Sequence, residues 1–288
     1  MNLQLLVSGI SMGVVYGLIS MGMVLIFRAV GIMNFAQGDF LMIGGYLTYT
    51  FNRIVGLHIS LSIVLASVLM GLIGVLFMRS SYWPLRRAPS KAIIVSAMGA
   101  SMVLKEGARL IWGSIPLTLD KVVKGTAHVG SAAIQWQNIA IIVIAACLMT
   151  LVYILLEKTF IGHIMQATAQ DQYMASLNGI PVILSIGLTF GLSAIITGIG
   201  GAMIAPMFFL NNTMGVTAGA KAFAAIVIGG FGSVPGAILG GLLVGLVEAF
   251  GGAYISTTYQ LVIIYVVLVI MLMFRPQGIF GNRIQEKA

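Results

Sequence analysis

Charge is scarce in this sequence. Of its 288 residues only 8% are Asp, Glu, Lys or Arg, whereas an ordinary soluble domain carries about a quarter. A chain so poor in charge cannot cover a water-facing surface, which excludes a soluble enzyme or binding module. Cysteine is scarcer still. The single Cys147 can form no internal disulfide and, lying in an apolar run, reads as a small buried hydrophobe. The dipeptide Gly-Lys never occurs, so there is no G-x-x-x-x-G-K-[ST] phosphate loop. There is no H-E-x-x-H and no metal-spaced Cys/His cluster. His58, His128 and His163 stand far apart, near span ends or loops, and read as interfacial histidines. No catalytic residue and no metal site is assigned. The ten-residue alternating pattern of a membrane barrel is absent too. Asn-Pro is missing, and with it the paired Asn-Pro-Ala turns of aquaporin-like channels.

What the sequence has is apolar length. Its residues are 59% hydrophobic and its mean hydropathy is +1.07. Runs of roughly 20 apolar residues recur, the length a helix needs to cross the hydrocarbon layer. Helices satisfy their own backbone in lipid. The fold class is therefore all-α, a polytopic transmembrane helical bundle of about 8 spans in a single domain over 1–288. The spans fall at about 3–27, 31–51, 59–78, 92–112, 137–156, 182–206, 219–253 and 258–274. The first has no Lys or Arg ahead of it and is longer than the apolar core of a signal peptide, so it reads as a retained span.

Loop charges orient the bundle. Arg79, Arg86, Arg87 and Lys91 cluster between the third and fourth spans, which places that loop in the cytoplasm. The tail holds Arg275, Arg283 and Lys287 against Glu286, so it is also inside. Counting back puts the N-terminus outside, in the periplasm, with Arg53, Lys121 and Lys124 on the same side. The net charge of +8 thus marks cytoplasmic loops rather than a nucleic-acid surface. The tail can be inside only if 219–253 makes no net crossing. Gly229, Gly230, Gly232 and Pro235 interrupt that segment, with Ser233 in the same turn, so it reads as one helix entering and another leaving. Such a break survives in a membrane only where protein or a water-filled cavity surrounds it.

A weak internal inverted repeat accompanies the break. FAQGDFLMIGGY (35–46) and FAAIVIGGFG (223–232) share Phe-Ala and then Ile-Gly-Gly-aromatic, each after a Gly- and Ser-rich span. Gly-interrupted helices at matching positions of two halves point to a transport pathway. The pathway candidates are therefore Asn34, Gln37, Asp39, Gly229, Gly230, Gly232 and Ser233. Asp39 has a second reading as a helix cap, because its side chain can accept bonds from free backbone N–H groups. Lys105, Glu106 and Arg109 lie toward the outer end of their span. Glu106 and Arg109 form an i,i+3 pair, and snorkelling with mutual pairing accounts for the group, with a proton relay as the alternative. Lys221 and Glu248 also lie near outer ends.

One loop stands apart. Residues 163–181, HIMQATAQDQYMASLNGIP, lie between two spans and carry a single formal charge, Asp171. Nothing from Gly162 to Leu177 breaks a helix. Asn178-Gly179 supplies a left-handed stop and Pro181 follows. A connector resting on the membrane surface carries Lys and Arg on its polar face. This one has none, and its small residues would let another protein approach closely.

The segments NFAQGDFLMIGGY, IGGFGSVPGAILGG and FRPQGIFG, with AQDQYMASLNGI between them, run in order over nearly the whole chain. Together they resemble permeases of the branched-chain amino acid type of ATP-binding-cassette importer, typified by the LivH-like subunit. The resemblance implies that about 162–179 is a coupling helix docking on an ATPase, with His163, Gln166, Ala167, Asp171, Ala175 and Gly179 as its contact residues. Relatives carry basic residues early in that helix, where this chain has His163 and Gln166. The implied partners are a second homologous permease, two ATP-binding-cassette ATPases and a periplasmic substrate-binding protein. ATP and magnesium would bind those ATPases, leaving no cofactor in this chain. The implied function is non-enzymatic import of branched-chain or other small amino acids across the bacterial inner membrane. A proton-coupled secondary transporter, an importer of urea or amides, and a structural membrane subunit are the rivals.

Overall fold

The computed structural model describes residues 2–123, 125–129 and 132–280. Lys124, Arg283, Glu286 and Lys287, used above for orientation, lie outside the described residues. The chain is an all-α membrane bundle. Among the described residues five helices are long and apolar enough to cross a membrane by length and composition, one of them α1 (Asn2–Val30). At 1.5 Å per residue α1 is about 43 Å long, more than the hydrocarbon thickness. It is the central post, buried almost without interruption from Gly13 to Ile26.

Glycines decide what packs on that post. Lipid tails are as apolar as Leu, so helices in a membrane associate through close packing of small residues. Gly9, Gly13 and Gly17 repeat every four residues on α1 and meet Gly245 and Gly241 of α10 (Val234–Tyr254) in antiparallel order. A Cβ on Gly241 would strike the backbone of Gly17. α8 (Val182–Ile204) likewise meets α2 (Gln37–Tyr49), where Gly44 touches Gly198 and Gly201 faces the Leu41 carbonyl. Gly74 of α3 (Ile59–Phe77) abuts the Phe190 carbonyl on the other side of α8. Two buried apolar clusters result. One surrounds α1 and the other lies between α2, α3 and α8.

The broken segment is a helical hairpin, as its glycines require. α9 (Met214–Gly229) and α10 run antiparallel, with Gly229 against Gly236 and Gly240 against Ala225. Gly230 (φ +110°) and Gly232 (φ +77°) turn the chain, and Ser233 caps α10 by accepting from the Gly236 N–H at 3.2 Å. The two repeat motifs are not equivalent in this fold. The first opens α2 and the second closes α9, although their leading rings, Phe35 and Phe223, meet at 6.0 Å.

Three further expectations change. The second span begins as non-helical backbone over 31–36, and its helix starts only at Gln37, inside the bundle. Cys147 is exposed on α5 (Trp136–Lys158) rather than buried, because α5 turns its other side to α1 and leaves this one to lipid. The connection between α4 (Ser90–Trp112) and α5 contains an unforeseen hairpin, β1 (Thr126–Val129) with β2 (Ala132–Gln135). α4 and α11 (Gln260–Phe274) complete the bundle and expose most of their surface.

Chain ends and loops sort onto two faces. One joins the end of α1, the α9–α10 turn, the connection between α5 and α8, and the tail. Gln172 Nε2 donates to the Ala29 carbonyl at 2.9 Å, Arg28 Nε to the Gly232 carbonyl at 2.6 Å, and the Ile279 N–H to the Ile228 carbonyl at 3.0 Å. On the opposite face Arg53 pairs with Asp120 at 2.7 Å, and Leu117 and Leu210 exchange backbone bonds. Substitution Gly241→Val should lower the melting midpoint of the detergent-solubilised protein, at a cost of about 1–3 kcal/mol or more for overpacking. Gly107→Ala, where nothing lies within 4 Å, should not lower it.

Candidate functional site

The irregular stretch 31–36 exists because α1 stops at Gly31, which takes φ +72°. Asn34 then organises the entry to α2. Its Oδ1 accepts from the Ala36 N–H at 3.1 Å and its Nδ2 donates to Gln37 Oε1 at 3.3 Å. Gln37 is fully buried. Its Nε2 donates to Ser193 Oγ at 2.8 Å and to Thr197 Oγ1 at 2.6 Å, and Ser193 Oγ donates on to the Gly22 carbonyl at 2.8 Å. Gly22 has no side chain because a Cβ there would crowd this cluster. Asn34 and Gln37 therefore spend their polar groups fastening α2 to α1 and α8.

Asp39, two residues on, points elsewhere. It does not cap α2. The N-cap is Ala36, and no side chain accepts from the first-turn amides there. One carboxylate oxygen, Oδ2, accepts from Ser101 Oγ of α4 at 2.5 Å, and Oδ1 has no hydrogen-bond partner among the described residues. Oδ1 lies beside the first turn of α9, close to Gly215. That turn carries the positive end of the helix dipole, which favours a carboxylate. The approach depends on Gly38, since a Cβ at that position would collide with the Gly215 carbonyl.

Asp39 and Ser101 border a cleft of about 620 Å³ between α2, α4, α9 and α11. The α4 wall is Val95, Met98, Gly99, Met102 and Lys105, and the α9 wall is Gly215, Val216, Gly219, Ala220 and Phe223. Both sets follow helical spacing. That periodicity could have revealed Ser101, which was not among the candidates, and set Lys105 beside Asp39 rather than only in a group with Glu106 and Arg109. The Lys105, Glu106 and Arg109 group divides. Glu106 and Arg109 pair at 2.9 Å, and Lys105 turns into the cleft. Lys221 and Glu248 form a further pair at 2.6 Å, largely buried, with Lys221 Nζ also donating to Tyr16 Oη at 3.2 Å. This pair fastens α9 and α10 to α1.

The other pathway candidates do not join the cleft. Gly229, Gly230, Gly232 and Ser233 form the hairpin turn on the loop face, where the tail covers them through the Phe280 N–H to the Gly229 carbonyl. A chain of rings, Phe27–Phe231–Phe223–Phe35, spaced 6.0 to 6.4 Å apart, connects that turn to the cleft.

The polar connector is two helices, not one. α6 (Phe160–Gln170) is capped by Thr159, and α7 (Gln172–Leu177) by Asp171, whose Oδ1 accepts from the Tyr173 and Met174 N–H groups at 2.8 and 3.0 Å. Asp171 takes extended backbone to do so, which breaks the helix expected over 162–179. Gln166 Nε2 donates to the Leu156 carbonyl at 2.7 Å and holds α6 to α5. Ala175 is buried against the bundle and offers no outer surface. His163, Asp171 and Gly179 are exposed and Ala167 is half-buried; Gly179 takes φ +77°, the left-handed stop. The outer surface is instead Phe160, Tyr173, Met174 and Leu177, all more than half exposed.

Residues 5–272 match the family model described as branched-chain amino acid transport system / permease component. The chain belongs to that family. It is 33% identical to the high-affinity branched-chain amino acid transport system permease protein LivH of Salmonella typhimurium, over 99% of this chain and 97% of the relative. It is also 33% identical to BraD of Pseudomonas aeruginosa, a permease protein of the same description, over the same shares. A solved structure, PsaBC from Streptococcus pneumoniae in complex with Fab, aligns with a TM-score of 0.48 and 14% identity over 96% of this chain and 93% of that one. The permease presents two distinct features, a charged cleft within the bundle and a pair of short helices with exposed apolar side chains on one face. Substitution Gln37→Leu should cost about 1–3 kcal/mol, because it strips buried hydroxyl and amide groups of their partner. A lowered melting midpoint in detergent with an unchanged helical circular dichroism spectrum would be the expected result.

Proposed function

We propose that this permease is the membrane subunit through which an ATP-driven importer moves branched-chain amino acids, or close small relatives, inward across the bacterial inner membrane. It pairs with a second homologous permease and makes no covalent bond itself. Two ATP-binding-cassette ATPases bind ATP and magnesium, and a periplasmic binding protein delivers the substrate. The observation that carries this reading is the exposed apolar surface of α6 and α7, held rigidly to the bundle by Gln166 and Gln172. Family membership supports it, and the lack of a phosphate loop in these residues is in keeping with an ATPase on a separate subunit.

The face bearing α6 and α7 is the cytoplasmic one, and the N-terminus is periplasmic. Arg28, Arg79, Arg86, Arg87, Lys91, Lys158 and Arg275 gather on that face, which supports the assignment. Closure of the ATPases on ATP would displace α7. Its bond to Ala29 at the end of α1, and the Arg28 bond to the α9–α10 turn, would carry the displacement into the helices that wall the cleft.

The test is co-purification. A tagged permease, solubilised gently from its native membrane, should bring down a soluble ATPase with a phosphate-loop motif. Tyr173→Ala with Leu177→Ala should reduce that recovery roughly tenfold, since truncating a central apolar anchor costs about 1–2 kcal/mol or more. The permease's own melting midpoint should stay unchanged. Recovery of the chain alone, with full transport that collapses under a protonophore at constant ATP, would replace this reading with a proton-coupled carrier.

A further inference from the structure

The cleft between α2, α4, α9 and α11 contains two opposite charges that make no direct ion pair with each other. Lys105 is partly exposed to it and has no hydrogen bond or ion pair among the described residues. Asp39, 2% exposed, stands at the same cleft with one oxygen unpartnered and the other on Ser101. The neighbouring acid, Glu106, is taken by Arg109 at 2.9 Å. An ammonium without a direct ion-pair partner inside a membrane bundle is costly and is a candidate functional group. Apart from Ser101 and the phenol of Tyr265, the rest of the lining is apolar or lacks a side chain. Met23, Met98, Met102, Val216 and Phe223 provide adaptable walls, and Gly219 leaves room. A volume of about 620 Å³ falls within the roughly 300–1,000 Å³ of small-molecule sites.

A ligand fitting these walls must bring one negative and one positive group close together and an aliphatic remainder. We infer that the cleft binds an aliphatic amino acid as its zwitterion, with Lys105 receiving the α-carboxylate and Asp39, with the Ser101 hydroxyl, receiving the α-ammonium. The side chain lies along the methionines. This rests on the amino-acid importer reading and adds to it the residues that choose the substrate. Urea and simple amides leave both charges unanswered and bind weakly here.

The experiment uses the assembled transporter purified without its binding protein, so that only the membrane subunits can hold ligand. Binding of radiolabelled leucine is measured, with competition by 3-methylbutylamine, which lacks the carboxylate, and 4-methylpentanoate, which lacks the ammonium. Leucine should displace the label, and each analogue should compete roughly tenfold or more less well, as expected for a lost bond to a charged group. Lys105→Met should weaken leucine to the level of the amine while leaving the amine unchanged. Asp39→Asn should do the same for the acid. Met102→Trp, which fills the cleft, should abolish binding with the ATPase still attached. Wild-type leucine binding by Lys105→Met or by Met102→Trp overturns the assignment, as does a wild-type complex that binds urea and not leucine. ATP-independent uptake by the same preparation would instead defeat the importer reading, whatever the cleft binds.

Discussion

Backbone-to-backbone contact between helices is the constraint on which this molecule is built. In lipid an apolar side chain gains little by leaving its surroundings, so tight dispersion contact and the few available polar bonds must hold the bundle. The Gly9-Gly13-Gly17 stripe against Gly241 and Gly245 sets the crossing of α1 and α10. Gly44 with Gly198 sets α2 against α8, and Gly38 with Gly215 brings α2 to the start of α9. Each contact removes a side chain where two backbones need the same space. The post, the hairpin and the cleft follow from these three crossings.

The polar groups act on that frame with distinct duties. Gln37 is consumed by structure, its amide shared among Asn34, Ser193 and Thr197. Lys221 and Glu248 are consumed too, fastening the hairpin to α1. A buried pair of this kind recovers its desolvation cost only when both partners stay in place. Asp39 and Lys105 differ because the fold aims them at one cleft without letting them meet. Glu248 keeps one buried oxygen unpartnered as Asp39 does, so what sets the cleft apart is that its acid and base form no ion pair.

The two faces of the bundle have different mechanical character. On the face bearing α6 and α7, side-chain-to-carbonyl bonds tie the short helices to α1, and α1 to the α9–α10 turn. The ring chain from Phe27 to Phe35 continues toward the cleft. A push delivered there has a contiguous, packed route inward. On the opposite face the connections include a short β hairpin, an exposed ion pair and a backbone bridge, and Gln137 ties α5 to the Met203 carbonyl of α8.

Sequence alone determined the class of this protein, because hydropathy over roughly 20 residues is a property of composition that packing cannot reverse. It also determined the break at Gly229 to Ser233 and the stop at Gly179, since positive φ at a turn calls for glycine. The Glu106–Arg109 pair was legible because both partners lie on one helix face. Tertiary structure decided the rest. Asp171 breaks the connector because capping two free amides outweighs one more helical residue, and Ala175 faces inward because the break reorients α7. Gln37 and Asp39 are two residues apart and serve different purposes because a helix sends them to different neighbours, one to α8 and one to α4. Lys105 pairs with no near acid and shares a cleft with Asp39, some sixty positions away in sequence. Only the packing of α4 on α2, where Ser101 bonds Asp39, brings those two residues to one cleft.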